Sequence, residues 1–265
     1  MTDYTKLIDI ANAAVDIASD LLRTHRPGEL TAKGDRDMAT EVDFAIEHQL
    51  RDFLRDTTPE IAFLGEEEGT AGGDWELMWA LDPIDGTANF VHGIPLCGTS
   101  LGLIQGDKPV LGVIDLPFLG TRYTAFEGGG AYANGAPIGV SQTDDLAEAV
   151  VAIGDYAVGD NALDRNRLRL AVTGQLAARV QRVRMHGSAA VDLAWLAYGR
   201  LDALITLSNK PWDMAAGVLI AREAGATVVD IDGCAHSMRS TATIGSGPHL
   251  ATSILQLVQD AQAGV

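Results

Sequence analysis

The sequence is poor in positive charge. Its 265 residues include 19 lysines and arginines against 36 aspartates and glutamates, which gives a net charge of -17 at pH 7. Such a chain repels nucleic-acid backbones and anionic lipid surfaces, so we expect neither as a partner. If the substrate is a small anion, the positive charge that binds it has to be imported, and divalent metal ions are the usual source.

Cysteines and long apolar runs are also scarce. Two cysteines, Cys97 and Cys234, cannot build a disulfide framework and lack metal-site spacing, so we interpret them as free thiols in a reducing compartment. The N-terminus lacks a signal-peptide pattern, and no apolar run is long enough to span a bilayer. We therefore expect a cytoplasmic protein with no membrane partner. A hydrophobic content of 47% still allows a sizeable core.

The hydrophobic periodicity predicts a mixed chain in two tightly packed lobes, residues 1–145 and 146–265. In the first lobe we expect helices over 5–22 and from 40 onwards, a loop or hairpin over 32–38, and an antiparallel meander of short strands over 99–140. The dipeptide Asn134-Gly135 indicates a type I′ turn in that meander. In the second lobe, strands at 149–153, 180–185, 201–207 and 226–231 alternate with helices at 161–174, 189–198, 212–224 and 248–262.

The segment 81–90 concentrates the candidate chemistry. It reads Leu-Asp-Pro-Ile-Asp-Gly-Thr-Ala-Asn-Phe, follows the apolar run 77–81, and carries Asp82 and Asp85 just ahead of Gly-Thr. The pattern predicts that both carboxylates lie where a buried strand ends, beside the start of a helix. Because carboxylates bind hard cations and the N–H groups of a helix start bind anions, the segment suits a metal–phosphate pair. Turn chemistry is the alternative, since Asp-Gly is a common turn dipeptide.

Other carboxylates could complete a metal site. Glu66 and Glu67 follow a predicted strand, and Asp213 opens a predicted helix. Carboxylates at the ends of separate strands can converge, as Mg²⁺ and Mn²⁺ sites require. Each also has a structural alternative: a solvated acidic loop for Glu66 and Glu67, and a favourable charge at a helix terminus for Asp213. Asp43 is another carboxylate of interest, and its structural alternative is a capping box with Thr40.

Two motif matches point to other chemistry and are rejected. Residues 98–102 fit the G-x-S-x-G pattern of a serine nucleophile, but that pattern needs a helix after the serine, and here a strand continues. Residues 229–233 resemble the Asp-x-Asp start of haloacid-dehalogenase-type phosphatases, whose chemistry uses a downstream lysine. No lysine follows Lys210, so we interpret this run as a strand and a turn.

Three segments in order resemble the inositol monophosphatase family of metal-dependent, lithium-sensitive sugar phosphatases, in particular its actinobacterial inositol-1-monophosphatase-like members. They are Gly-Glu-Glu at 65–67, the run at 82–90, and Trp-Asp-Met-Ala-Ala-Gly at 212–217, with a substrate-side turn at 187–193. The resemblance extends along nearly the whole chain. It implies an α/β (α+β) fold, a layered αβαβα sandwich of the inositol monophosphatase and fructose-1,6-bisphosphatase type, in a homodimer that uses Mg²⁺.

The resemblance also implies a set of metal ligands. Glu66, Asp82 and the Ile84 carbonyl would hold one Mg²⁺. Asp82, Asp85 and Asp213 would hold a second, and a looser third ion would lie near Glu66. Mn²⁺ would be able to replace Mg²⁺ in these positions.

The catalytic and substrate-binding groups follow from the same resemblance. Thr87 and Asp43 would activate the attacking water, with Glu66 as a further catalytic residue. The substrate-binding set would be Asp85, Gly86, Thr87, Gly187, Ser188, Ala189, Thr206 and Asp213.

Together these features predict a Mg²⁺-dependent phosphatase that hydrolyses a small phosphomonoester with a metal-activated water. Inositol-1-phosphate, cleaved to inositol and phosphate, is the first candidate. One residue departs from the pattern: family members that bind inositol usually carry a glutamate where this chain has Thr206, and a hydroxyl lacks the charge-assisted strength of a carboxylate. Histidinol phosphate and fructose 1,6-bisphosphate therefore stay open as substrates, as does a non-catalytic regulatory protein on the same scaffold.

Overall fold

The structure, a computed structural model, describes residues 4–34, 37–72 and 74–265. Its helices are α1 (Tyr4–Thr24), α2 (Glu41–Thr57), α3 (Thr87–Val91), α4 (Ala162–Arg179), α5 (Ala189–Ala197), α6 (Pro211–Glu223) and α7 (Ala251–Ala263). Its strands are β1 (Leu30–Gly34), β2 (Asp37–Thr40), β3 (Ile61–Gly65), β4 (Gly69–Ala71), β5 (Asp74–Asp85), β6 (Gly98–Gln105), β7 (Lys108–Leu116), β8 (Thr121–Phe126), β9 (Ala131–Ala133), β10 (Ala136–Pro137), β11 (Val150–Ile153), β12 (Arg182–Arg184), β13 (Ala203–Thr206), β14 (Thr227–Val229) and β15 (Thr243–Ser246). Among the described residues, no helix combines the length and the apolarity of a membrane span.

Within these residues two sheets form the framework. The larger has eight strands in the order β10-β9-β8-β7-β6-β5-β3-β4; β3 and β5 are parallel, and the other neighbours are antiparallel. The smaller has five strands in the order β12-β11-β13-β15-β14, and β11 is parallel to both of its neighbours. β1 and β2 form a separate antiparallel hairpin.

The helices cover both faces of each sheet. α1 and α2 pack on one face of the larger sheet, around a core that includes Leu22, Ile46 and Trp79. α5 and α6 lie between the two sheets, where Leu193 and Val218 are fully buried. α4 and α7 cover the outer face of the smaller sheet. The layer order is therefore αβαβα, which confirms the predicted fold class.

Most of the elements predicted from the periodicity are present. The meander is formed by β6 to β9, and Asn134 and Gly135 both have positive φ, 47° and 78°, at the predicted tight turn. Thr40 caps α2 in a complete capping box with Asp43. The loop or hairpin expected over 32–38 is the hairpin of β1 and β2, and residues 35 and 36 lie outside the described part of the chain.

Some boundaries differ from the prediction for identifiable reasons. The strand expected to end at 81 continues to Asp85, because β6 keeps pairing with it and Pro83 is absorbed in a register shift. β15 has no counterpart in the prediction: it has four residues, includes Gly245, and becomes a strand only by pairing with β13 and β14. The strand expected over 180–185 is confined to β12, and α4 continues beyond 174 to Arg179.

Two glycines let α6 lie directly on the larger sheet. A Cβ at Gly102 in β6 would lie 2.6 Å from Ala215 Cβ, and one at Gly112 in β7 would lie 2.6 Å from Ala216 O. Because no side chain fits into these gaps, the strands contact the first turns of the helix through their backbone. This close approach fixes the N-terminal end of α6, which carries Asp213, next to the end of β5.

We predict that Gly112→Ala lowers the free energy of unfolding by about 2 kcal/mol, because the added methyl group pushes α6 away from the sheet. Gly174→Ala is the matched control: Gly174 is exposed on α4 and has no atom within 4 Å of an added Cβ. Alanine at 174 should instead stabilise the helix by up to about 1 kcal/mol. Urea denaturation measures both variants. Unchanged stability of the Gly112 variant would contradict the backbone contact between α6 and β7.

Candidate active site

A cavity of about 330 Å³ opens where the ends of β5, β11 and β13 meet the N-terminal ends of α3, α5 and α6. Asp43 lies outside its lining and hydrogen-bonds to Thr87, which is part of it. All the other site residues predicted from the sequence line the cavity: Glu66, Asp82, Ile84, Asp85, Gly86, Thr87, Gly187, Ser188, Ala189, Thr206 and Asp213. The fold therefore brings to one place segments that are far apart in the sequence.

Three carboxylates converge in the cavity. Glu66, Asp82 and Asp213 each offer an oxygen, and these oxygens lie within 4.8 Å of one another. The parallel pairing of β3 with β5 matches Gly65 with Leu81, so the residues that follow, Glu66 and Asp82, lie side by side. Asp213 reaches the same place from the first turn of α6. The cluster thus depends on three separate elements of the fold.

Burial and mutual repulsion raise the pKa values of two carboxylates in this cluster, Asp82 and Asp213. Asp82 is 4% exposed, and its Oδ1 has no hydrogen-bond partner among the described residues. Burial, together with the negative charges of Glu66, Asp85 and Asp213, raises the pKa of Asp82 well above its usual range. Burial and the charges of Asp85 and Glu66 also raise the pKa of Asp213 well above its usual range. A buried carboxylate oxygen that has no donor and is surrounded by other carboxylates needs a nearby positive charge to stay ionised.

A hard divalent cation fits this set of donors. Mg²⁺ and related ions prefer carboxylate oxygens, whereas a zinc site draws on histidine or cysteine. Lys33, a residue that the sequence motifs do not single out, places Nζ 2.6 Å from Glu66 Oε1 and 3.0 Å from Glu67 Oε1. It does not reach the unpartnered oxygen of Asp82. The acidic cluster could therefore bind a metal ion.

Asp85 and the Ile84 carbonyl line the same cavity but already have protein partners. The Asp85 carboxylate accepts hydrogen bonds from the N–H groups of Ala189, at 3.1 Å, and Ala190. The Ile84 carbonyl accepts the Thr87 hydroxyl at 3.0 Å. Oxygens of both groups keep a second lone pair, so they can also coordinate a cation. Burial raises the pKa of Asp85 to about 7 although hydrogen bonds oppose the shift.

A tight turn after β5 presents the backbone and the hydroxyl of Thr87. Gly86 has a φ of 90°, and a Cβ there would lie 2.9 Å from Leu96 O, so only glycine fits. Thr87 Oγ1 lies 3.3 Å from Asp43 Oδ1. Asp43 Oδ2 accepts both the N–H and the hydroxyl of Thr40, at 2.8 and 2.5 Å. The Asp43 carboxylate therefore caps α2 with one oxygen and contacts Thr87 with the other.

One buried carboxylate that positions the cluster has no place in the sequence motifs. Glu47 is fully buried in α2, and it accepts the N–H groups of Glu67 and Glu68 at 2.8 and 2.9 Å. It thereby holds the turn that carries Glu66. Glu47 follows Asp43 by four residues on the same face of one helix, and this spacing is the signal that could have revealed it.

Comparison with known proteins assigns the chain to a family. The sequence profile of the inositol monophosphatase family matches residues 3–263. The chain is 36% identical over 256 residues to inositol-1-monophosphatase ImpA of Mycolicibacterium smegmatis, covering 96% of this chain and 92% of that protein. It is 37% identical over 234 residues to the Nus factor SuhB of Vibrio cholerae, covering 88% and 86%.

A solved structure agrees with the sequence matches. The extragenic suppressor protein SuhB from Bartonella henselae has a TM-score of 0.89 and 30% identity, covering 96% of this chain and 98% of that chain. The chain therefore belongs to the inositol monophosphatase family and is a phosphoric monoester hydrolase.

We predict that Asp82→Asn stabilises the metal-free protein at alkaline pH. A carboxyl whose folded pKa is raised stabilises the fold fully below its unfolded pKa, near 3.8, and loses that contribution as the pH rises through the folded pKa. Burial raises the pKa values of Asp85 and Glu67 to about 7, so the metal-free protein should weaken as the pH rises towards and past 7. Asp82→Asn, which removes one of these acidic groups, should therefore be more stable than the parent protein at pH 8.

Urea denaturation in excess chelator from pH 5 to pH 8 tests this prediction. Asp9→Asn, at an exposed position of α1, is the control for removing one acidic charge and should leave the pH dependence unchanged. An Asp82→Asn variant that is less stable than the parent protein at pH 8 would mean that repulsion does not dominate the cluster.

Proposed function

We propose that this member of the inositol monophosphatase family hydrolyses inositol-1-phosphate to inositol and phosphate, with Mg²⁺ as its metal. The observation that carries the proposal is the convergence of the Glu66, Asp82 and Asp213 carboxylates in one cavity. A volume of about 330 Å³ lies in the range of small-molecule sites. The name of the ImpA relative, inositol-1-monophosphatase, supports the choice of substrate.

The metal ligands would be the clustered carboxylates and their neighbours. Glu66, Asp82 and Asp213 supply clustered oxygens, and Asp85 and the Ile84 carbonyl can add their free lone pairs. This donor set is large enough for the two to three ions expected from the sequence, and Mn²⁺ has the same oxygen preference. When bound, Mg²⁺ supplies the positive charge that screens a phosphate dianion and acidifies water.

The chain's own groups orient the phosphate and the attacking water. The N–H groups of Gly86 and Thr87 belong to a helix start, where they have no intrahelical partner and can bind phosphate oxygens. The Thr87 hydroxyl would position the water, and Asp43 would take up its proton through Thr87. Burial raises the pKa of Asp43, which makes this carboxylate a better base. Glu66, at the edge of the same cavity, is the further catalytic residue.

The remaining predicted residues would hold the rest of the substrate. Asp85 and Asp213 would contact it beside the metal, and the other groups form the opposite wall of the cavity: Gly187, Ser188, Ala189 and Thr206. Asp85 fastens the first turn of α5 to β5, so this wall is held in a constant position relative to the phosphate end.

We propose in addition that the protein works in the cytoplasm as a homodimer with two lobes, residues 1–145 and 146–265. The free thiols of Cys97 and Cys234 support a reducing compartment. α6 of the second lobe packs on the larger sheet of the first, so the lobes should unfold in one transition. Analytical ultracentrifugation and urea denaturation test the dimer and the single transition.

A regulatory protein on the same scaffold is the second candidate function, and the Nus factor name of the Vibrio cholerae relative favours it. Under this candidate the cluster would still bind metal, but no phosphomonoester would be turned over. The two candidates therefore differ in a single measurement, the rate of phosphate release.

We predict Mg²⁺-dependent phosphate release, fastest with inositol-1-phosphate in a panel that includes histidinol phosphate and fructose 1,6-bisphosphate. Asp82→Asn should remove the activity while the protein stays folded, because the shared metal ligand is lost. Full activity in excess chelator would overturn the metal dependence. Faster release from another phosphate in the panel would overturn the substrate, and normal Mg²⁺ binding without any turnover would favour the regulatory candidate.

We predict that Thr87→Val lowers kcat by about 10²- to 10⁴-fold, the usual contribution of a positioned proton-transfer group. Thr87→Ser is the matched control, since it keeps the hydroxyl beside Asp43 and should retain most of the rate. Steady-state kinetics with inositol-1-phosphate measures both. A valine variant that keeps the parent rate would contradict a role for the Thr87 hydroxyl, and equal losses in both variants would assign the effect to packing at position 87.

A further inference from the structure

Two neighbouring strand ends form the wall of the cavity opposite the larger sheet. β11 and β13 are parallel and match Ile153 with Ile205, and the Gly154 N–H donates to the Ile205 carbonyl at 2.9 Å. Gly154, Asp155 and Thr206 therefore reach the same edge of the smaller sheet, and all of them line the cavity. Carboxyl ends of parallel strands are where α/β proteins bind their ligands.

The two strand ends approach closely because residue 154 is a glycine. A Cβ at Gly154 would lie 3.1 Å from Thr206 Cγ2 and 3.3 Å from Thr206 Oγ1. Thr206 is 8% exposed, so its hydroxyl is confined to the cavity wall. Asp155, which follows Gly154 directly, is exposed and is part of the cavity lining. A residue with a carboxylate and a residue with a hydroxyl thus line one cavity from adjacent strand ends.

α4 fixes the backbone that carries these two groups. Arg169 donates from Nε to the Asp155 carbonyl at 3.2 Å and from Nη2 to the Leu207 carbonyl at 2.7 Å. Asn166 exchanges two hydrogen bonds with the backbone of Ala157, at 2.7 and 2.8 Å. One arginine therefore spans both strand ends, which makes the spacing between Asp155 and Thr206 a built feature of the fold.

Asp155 differs from the other carboxylates of this wall in having no protein donor. Asp192 pairs with His186 Nδ1 at 2.5 Å, and Asp85 accepts the first N–H groups of α5. In the described part of the chain no group donates a hydrogen bond to the Asp155 carboxylate, and partial burial raises its pKa. Its oxygens are acceptors that remain available to a ligand.

We propose that Asp155, together with the Thr206 hydroxyl, selects the substrate by accepting hydrogen bonds from two adjacent hydroxyls of a polyol phosphate. The inference rests on the proposed function and names the recognition group of that same site. Asp155 supplies a carboxylate from the strand end next to that of Thr206. Two acceptors on adjacent strand ends can bind two hydroxyls of one ligand, whereas an ammonium group would use the carboxylate alone.

The test is Asp155→Asn, which keeps the shape of the side chain and removes its charge. We expect the KM for inositol-1-phosphate to rise about tenfold with kcat within about twofold, because a charge-assisted hydrogen bond made equally in ground state and transition state is lost. The KM for phenyl phosphate, which has no hydroxyl to present, should stay unchanged. Asp160→Asn is the matched control, since Asp160 lies on the same loop outside the cavity lining and should alter neither substrate.

The possible results of this experiment lead to different conclusions about Asp155. An equal rise in the KM for phenyl phosphate would assign Asp155 a structural role and overturn the inference. An unchanged KM for inositol-1-phosphate would overturn it as well. A larger loss with 2-aminoethyl phosphate than with inositol-1-phosphate would overturn the choice of hydroxyls over an amine. A parent protein that hydrolyses phenyl phosphate but no polyol phosphate would overturn the proposed function and the inference together, whereas an effect seen only in the variant bears on Asp155 alone.

Discussion

Repulsion between buried carboxylates is the constraint on which the rest of this structure depends. Glu66, Asp82 and Asp213 come within 4.8 Å of one another although each favours separation at neutral pH. Packing elsewhere has to hold them in place. The turn of Glu66 is held by Glu47, and the helix of Asp213 is seated on a sheet whose glycines admit its backbone. The fold therefore holds three carboxylates in a mutually repulsive arrangement, and a bound divalent cation can neutralise that repulsion.

Two carboxylates at the site each contact two different elements of the fold. Asp43 caps α2 with one oxygen and contacts Thr87 with the other, so the start of a helix and a catalytic candidate share one carboxylate. Asp85 lies beside the acidic cluster and also fastens α5 to β5 across more than a hundred residues of sequence. Structural and functional interpretations of such residues are therefore compatible. A substitution at either position would alter the packing and the site together.

The cavity separates the reaction from the choice of substrate. Under the proposed function, residues of the larger sheet and the start of α3 would surround the phosphate, and their chemistry suits phosphomonoesters in general. The ends of β11 and β13 would face the remainder of the substrate, and there Thr206 differs from the pattern that the sequence resembles. A phosphatase of this architecture can change its substrate at the second wall while the first wall stays as it is.

Local patterns in the sequence predicted the order of most elements and the acids of the cluster, and the layered fold followed from the resemblance of three segments to a known family. Those features leave local signals: periodicity for α1 and the meander, a capping box at Thr40 and Asp43, and short motifs around Glu66, Asp82 and Asp213. Three features come from the tertiary structure alone: Glu47 supports the acidic turn, β15 is a strand, and Asp155 and Thr206 line the same cavity. Each of these features depends on contacts between segments that are distant in the chain. A local sequence pattern does not show which distant segment will pack against it.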